Sequence, residues 1–367
     1  MHVIRLDLRH VRRFREARFT PAAGLNLITG DNGAGKTSVL EALHLMAYGR
    51  SFRGRVRDGL VQSGASELEV FVEWQESGAG APRLRKAGLR HSGQAWTGRL
   101  DGEPVAQLGE LCAALAVVSF EPGSHALITG GGESRRRYLD WGLFHVEHEF
   151  MPLWRRYTRA LKQRNALLKG RARDAQLDAW DHELAEAGEP LSRHRAGYLD
   201  ALAPRFVALA HALAPALGAR TLDYAPGWRH DELSLLDALL LARDRDLAAG
   251  FTSVGPHRAD WRIGFVTIPG RDALSRGQAK LAALAALLAQ AEHHAAARGE
   301  WPVIALDDLA SELDRSHQRR VLEHLLAGGA QVVITGTDAP PALAGLGAAV
   351  ARFHVEHDQI RPLEPAE

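Results

Sequence analysis

Nine consecutive residues, Gly30, Asp31, Asn32, Gly33, Ala34, Gly35, Lys36, Thr37 and Ser38, have the spacing of a phosphate-binding loop. The glycines let the backbone curl tightly, so that N–H groups and a helix N-terminus face one anion. Lys36 is spaced to reach the β- and γ-phosphates of a bound ATP, and the Thr37 hydroxyl to ligate Mg²⁺. Such a loop needs a strand before it and a helix after it. Both are legible: "LNLIT" reads as a strand, and Val39, Leu40, Leu43 and Met46 recur at helical spacing until Gly49. A chance glycine-rich turn would have neither flank.

A second set of chemical residues lies far downstream. Val303, Ile304, Ala305 and Leu306 form a buried-strand run that ends in Asp307 and Asp308. Asp307 is placed to hold Mg²⁺, and Asp308 to position or deprotonate an attacking water as the catalytic partner of Lys36. Upstream of that strand, "LSRGQAK" (Leu274 to Lys280) opens an alanine- and leucine-rich helix. Ser275 and the N–H groups near Gly277 would offer a second γ-phosphate site at a helix N-terminus. Taken alone, the same residues read as a capping serine with a turn glycine.

The remaining elements follow from periodicity. "HVIRLDL" alternates as a strand, and Glu67 to Leu100 alternates in short runs that suggest an antiparallel sheet. Residues 135–250 are mostly helical. In "LWRRYTRALKQRNALLK", Leu153, Trp154, Tyr157, Leu161 and Leu168 share one side, while Arg155, Arg159, Lys162 and Lys169 form a stripe on another. After Gly250 the α/β pattern returns, with "WRIGFVTI" and "QVVITGT" as strands. The expected organisation is residues 1–134 and 251–367 as the two parts of an ATPase lobe, with 135–250 inserted as a helical lobe.

Charge is segregated along the chain although the net charge is only +1. Residues 150–173 hold eight Lys or Arg and no acid, and residues 174–190 hold six acids and no Lys or Arg. That arrangement suits a polyanionic partner. A solvated helix face is the plainer account of any single arginine, so Arg155, Arg159 and Lys162 are candidate DNA contacts only. The single cysteine, Cys112, precludes a disulfide within the chain and a cysteine-built zinc site. The charged N-terminus has no signal-peptide core, and no apolar run approaches the ~20 residues that span a bilayer. A soluble, cytoplasmic protein with no membrane partner is expected.

The order of the motifs carries a resemblance. "LSRGQ" ahead of the strand, and Ser311-Glu312-Leu313-Asp314 behind its acids, resemble the signature and D-loop of the ABC ATPase superfamily. That resemblance implies that Ser275, Gly277, Gln278 and Asp314 serve nucleotide bound to a second subunit. With "GDNGAGKTSVLEALHLMAYGRSFR", "RRRYLDWGLFH", "TSVGPHRAD" and "DDLASELD", the chain is similar over most of its length to the bacterial RecF family. The resemblance implies an α/β fold: an ABC/SMC-head-like P-loop ATPase core with an antiparallel β subdomain and an inserted helical lobe, without a long coiled coil. It also implies an ATP-dependent homodimer on double-stranded and single-stranded DNA at gaps or junctions, assisting RecA loading with RecR and RecO. Alternatives of other classes are the nucleotide-binding subunit of a membrane transporter and a P-loop enzyme such as a kinase or a nuclease-associated ATPase.

Several positions depart from the superfamily pattern. Asp308 stands where many members have Glu, and its shorter reach implies slow hydrolysis, with ATP acting as a timer. No switch histidine follows "VVIT", which offers Thr335 and Thr337, and "VVSFEPG" supplies no Q-loop glutamine. "GPHR" (Gly255 to Arg258) reads either as a nucleotide or partner contact or as a structural turn with a stacked histidine. "FHVEH" occurs at Phe144 and Phe353. The second copy alternates as a strand, which would put His354 and His357 on opposite faces and unable to share a metal.

Overall fold

The computed structural model describes residues 1–56, 59–77, 81–170 and 174–363. The chain forms two compact units: Met1–Ser124 with Leu284–Glu367, and His125–Ala283. By packing, the second unit starts earlier and ends later than the 135–250 segment marked by helical periodicity.

The first unit opens with β1 (His2–Val11) and β2 (Phe14–Phe19), an antiparallel pair. Next come β3 (Leu25–Thr29), α1 (Lys36–Tyr48), β4 (Leu68–Glu76), β5 (Arg83–His91), β6 (Trp96–Leu100) and β7 (Glu103–Pro104). α2 (Leu108–Ala114) and β8 (Val117–Phe120) complete this half. Alternation does the folding in β4: Leu68, Val70, Val72 and Trp74 are buried, while Glu69, Phe71 and Glu73 share the other face. The buried set packs with Leu6, Leu8 and Phe19 of the first hairpin and with Val39, Leu40 and Leu43 of α1 in one core.

The second unit contains α3 (Ala126–Thr129), α4 (Gly132–Val146), α5 (Phe150–Lys169) and the long α6 (Asp174–Leu213). β9 (Ala219–Ala225), α7 (Leu235–Leu241), α8 (Arg243–Ala249) and β10 (Asp260–Phe265) follow. The strand expected at Trp261 is present as β10. β10 pairs antiparallel with β9, Trp261 opposite Tyr224, in a separate two-stranded sheet. β9 lies inside the stretch read as helical, so the partner that captures β10 was missed.

α9 (Arg276–Arg298) then leads to β11 (Val303–Leu306), α10 (Leu309–Glu312), α11 (Arg315–Gly328), β12 (Val332–Thr335), β13 (Val350–Glu356) and β14 (Gln359–Leu363). Sheet order in the first unit is β14-β13-β3-β12-β11-β8, parallel except for β14. The other sheet runs β2-β1-β4-β5-β6-β7 and is antiparallel. The carboxyl ends of β3, β11 and β12 lie side by side, the edge where parallel α/β sheets place their ligands. His354 falls within β13 as expected. His357 does not: it occupies the turn to β14 with φ 48°, beside Asp358 at φ 59°. The first "FHVEH" copy is the end of α4 and the residues after it. Among the described residues no helix is long and apolar enough to cross a membrane.

Candidate nucleotide site

The loop between β3 and α1 is shaped by its glycines and by its neighbours. Gly30 (φ 149°) and Gly35 (φ 117°) adopt backbone conformations that side chains rarely take. A Cβ on Gly30 would lie 2.5 Å from the Val355 carbonyl oxygen, and one on Gly35 would lie 2.9 Å from the ring of Phe14. Arg13 donates to the Gly33 carbonyl, so the turn between β1 and β2 also grips the loop. Lys36 Nζ donates to the carbonyls of Gly30 (2.7 Å) and Asp31 (2.9 Å), which holds its ammonium over the loop. Ser38 N donates to Gly35 O at 2.9 Å, the start of α1. Arg12 fixes that helix from the side with a two-pronged bond to the buried Glu41, at 2.9 and 2.7 Å.

The acids at the end of β11 meet this loop. Thr37 Oγ1 donates to Asp307 Oδ1 at 3.0 Å. Burial pushes the Asp307 carboxyl above its usual range, against the hydrogen bonds it accepts from Thr335 and Thr37. A half-buried hydroxyl beside a buried carboxylate is an oxygen donor set that suits a hard divalent cation such as Mg²⁺. Asp308 follows in the left-handed region (φ 51°, ψ 44°), where its backbone N–H donates to Thr335 Oγ1 (2.9 Å) and its carboxylate accepts Ser311 Oγ (2.5 Å). Thr335, at the end of β12, is buried; Thr337 is exposed. At the end of β8, Glu121 occupies the place where a Q-loop glutamine was sought, and Phe120 O accepts from Asp307 N at 2.8 Å.

The signature segment lies in the second unit apart from α9's later turns. Ser275 and Gln278 form a reciprocal cap on α9: Ser275 N donates to Gln278 Oε1 (2.9 Å) and Gln278 N to Ser275 Oγ (3.2 Å). Ser275 and Gly277 are exposed. Asp314 is committed to its own chain as the cap of α11. It accepts the N–H groups of His317 (3.0 Å) and Ser316 (2.9 Å) and the Ser316 hydroxyl (2.8 Å), and the bonds from the His317 N–H and the Ser316 hydroxyl hold its carboxyl well below the usual range.

Comparison with known proteins settles the family. Residues 2–344 match the family model described as RecF/RecN/SMC N terminal domain. A protein of Xanthomonas oryzae pv. oryzae named DNA replication and repair protein RecF is 68% identical over 361 residues, covering 98% of this chain and 100% of its own. One from Stenotrophomonas maltophilia with the same name is 69% identical, covering 98% of this chain and 99% of its own. The chain belongs to the RecF family. A solved structure of the recombination mediator protein RecF with ATPrS, from the RecFOR pathway, superposes with a TM-score of 0.85 at 25% identity, over 99% of this chain and 98% of that one. An Smc head bound to the C-winged helix domain of ScpA shares the fold, with a TM-score of 0.58 at 14% identity over 99% of this chain and 97% of that one. The architecture is therefore that of an ABC/SMC-type head.

Within this RecF-family chain the "GPHR" segment is a structural turn. Gly255 (φ 120°) leaves room for the Tyr157 hydroxyl, which would stand 2.9 Å from a Cβ. Tyr157 Oη bonds His257 Nδ1 at 2.7 Å, and His257 Nε2 meets Thr252 O at 2.9 Å. Burial lowers the His257 pKa to about 4, so the ring is neutral. Arg195, paired with Asp140, donates to Pro256 O at 2.7 Å. The exposed Arg258 lies over the Phe251 ring at 5.2 Å.

The basic run of α5 divides by helical phase. Arg155, Arg159, Lys162 and Lys169 are exposed. Arg156 pairs with Glu183 (2.7 Å) and Glu186 (2.5 Å). Arg164 is fully buried against Asp181 (2.5 Å) and Asp246 (2.7 Å). Both are engaged by acids of their own chain, so the basic cluster free of such pairs is smaller than its composition suggested. Arg171 and Arg173 lie outside the described residues.

Proposed function

We propose that this chain is an ATP-dependent, DNA-binding mediator of recombinational repair. In this reading it dimerises on gapped or junction DNA when ATP is bound, and with RecO and RecR it promotes RecA loading. Relatives named for DNA replication and repair, and similar structures titled as RecF with ATP or ATPrS in the RecFOR pathway, support it. Membership of the RecF family displaces the transporter-subunit alternative.

The observation that carries dimerisation is Gly277. It sits in the first turn of α9, and glycine is a poorer helix former than alanine. Yet beyond its chain neighbours and the backbone of its own helix turn, no described atom lies within 4 Å of a Cβ built there. Its own chain gives no packing reason for glycine, whereas the close approach of phosphate from a second copy would. The exposed Ser275, whose bonds to Gln278 hold the turn in shape, stands beside it.

At the first copy's loop, the backbone N–H groups and the N-terminus of α1 receive the phosphates, and Lys36 adds charge at the β/γ end. Thr37 and Asp307 are the residues that would hold Mg²⁺, which neutralises phosphate charge when bound. Asp308 orients water with a short carboxylate that already accepts the Ser311 hydroxyl. Both features favour slow turnover, so ATP marks the time during which two copies remain together. Turnover far above ~1 per second with DNA present, against a median of about 10 per second for enzymes, would contradict this.

Native mass, measured with a slowly hydrolysed ATP analogue with and without gapped DNA, tests the proposal. A dimer is expected with nucleotide and a monomer without it, and K36M should lose both nucleotide binding and dimerisation. A chain that stays monomeric in every condition overturns the reading.

A further inference from the structure

We infer that Thr335 is the positioning residue that sets the Asp307 carboxylate for the divalent cation, in place of a switch histidine. The inference rests on the reading of this site as an Mg²⁺–ATP site. Thr335 is buried at the carboxyl end of β12, in the strand next to β11. Its hydroxyl has one proton to give, and the geometry fixes where it goes. Asp308 N–H points at Oγ1 from 2.9 Å and takes an acceptor lone pair. The proton is then donated to Asp307 Oδ1 at 2.6 Å.

That same oxygen, Oδ1, also accepts Thr37 Oγ1 at 3.0 Å. Asp307 is thus pinned in one rotamer by β12 while it faces α1. The Asp308 N–H is held by the same side chain, which also secures the left-handed backbone at Asp308. One buried hydroxyl therefore sets both acids: the first through its carboxylate, the second through its backbone. Outer partners of this kind commonly change metal affinity by about 10–100-fold when removed, without touching the ion.

The test is binding of a fluorescent ATP analogue by the full chain, with and without Mg²⁺, for wild type, T335V, T335A and T335S. T335V keeps the side-chain volume and removes the hydroxyl; T335A removes it without a second methyl and serves if T335V does not fold; T335S retains it. Thr335 reaches the phosphate loop only through Asp307, so affinity without Mg²⁺ should remain within about twofold in all variants. The gain on adding Mg²⁺ should fall about tenfold or more in T335V and T335A and be restored in T335S. In turnover, T335V should raise KM for Mg²⁺–ATP, with T335S close to wild type. A wild-type Mg²⁺ gain in T335V and T335A overturns the inference, and so does an equal loss with and without Mg²⁺. A wild-type protein that binds the analogue with no Mg²⁺ gain overturns the reading of the site itself.

Discussion

The ring of Phe14 stands 2.9 Å from where a Cβ on Gly35 would lie. Phe14 opens β2 and is fully buried in the core that the antiparallel sheet shares with α1. The phosphate loop is therefore shaped partly by a strand that carries no motif. G35A meets two penalties at once: a backbone at φ 117° and a ring that cannot swing into solvent. Left-handed or more extreme φ in a non-glycine residue costs about 1–3 kcal/mol, before any ring displacement. G35A should lower the thermal midpoint by several degrees and lose nucleotide affinity. Unchanged stability and binding would refute the steric account.

Arg164 gives the strongest stability prediction. Its guanidinium joins Asp181 to Asp246 in a fully buried site and also donates to Thr252 Oγ1 at 3.0 Å. In R164M, Asp181 keeps Arg243 at 2.6 Å, whereas Asp246 is left, among the described residues, with the N–H and hydroxyl of Ser253. Breaking a buried pair by removing one partner costs about 3–5 kcal/mol. Calorimetry should show the transition of the unit formed by His125–Ala283 falling, with that of the other unit little changed.

How much of this was legible depends on where the information lies. The phosphate loop and the β11 acids are local patterns, with flanks that declare strand and helix, and they were read residue by residue. The burial of Arg164 was also readable in principle. It lies at helical spacing from Tyr157 and Leu168, on the face that α5 buries. Its partners were not readable, because Asp181 and Asp246 come from α6 and α8. β10 shows the same limit: its strand pattern was plain, but its pairing with β9 is a long-range fact. In the sequence Thr335 is only one of two threonines, with Thr337, found where a switch histidine is usual. The bonds that give it a role depend on β11 and β12 being neighbours.

His257 links stability to pH. Burial lowers its folded pKa to about 4 from the ordinary value of 6.5. The unfolded chain therefore takes up this proton first as pH falls. The stabilisation is fully present above pH 6.5 and is lost progressively toward pH 4. H257Q removes the titrating ring, so its thermal midpoint should fall less than that of wild type between pH 7.5 and pH 5. Equal falls in the two proteins would show that the ring is not the group responsible.

DNA binding is the place where similar arginines should behave differently. Arg155, Arg159 and Lys162 are exposed along one face of α5, whereas Arg156 is engaged by Glu183 and Glu186. Phosphate contacts release counterions, and each contributes about 0.9 to the slope of log affinity against log salt on duplex DNA. If all three exposed residues meet phosphates, the triple alanine variant should reduce that slope by roughly 2.7 and weaken binding to all sequences alike. R156A should leave the slope unchanged, because its partners already neutralise that charge. A triple variant with the wild-type slope would remove α5 from the DNA interface. A loss in R156A equal to that of the triple variant would show that the effect comes through the fold of the helical unit.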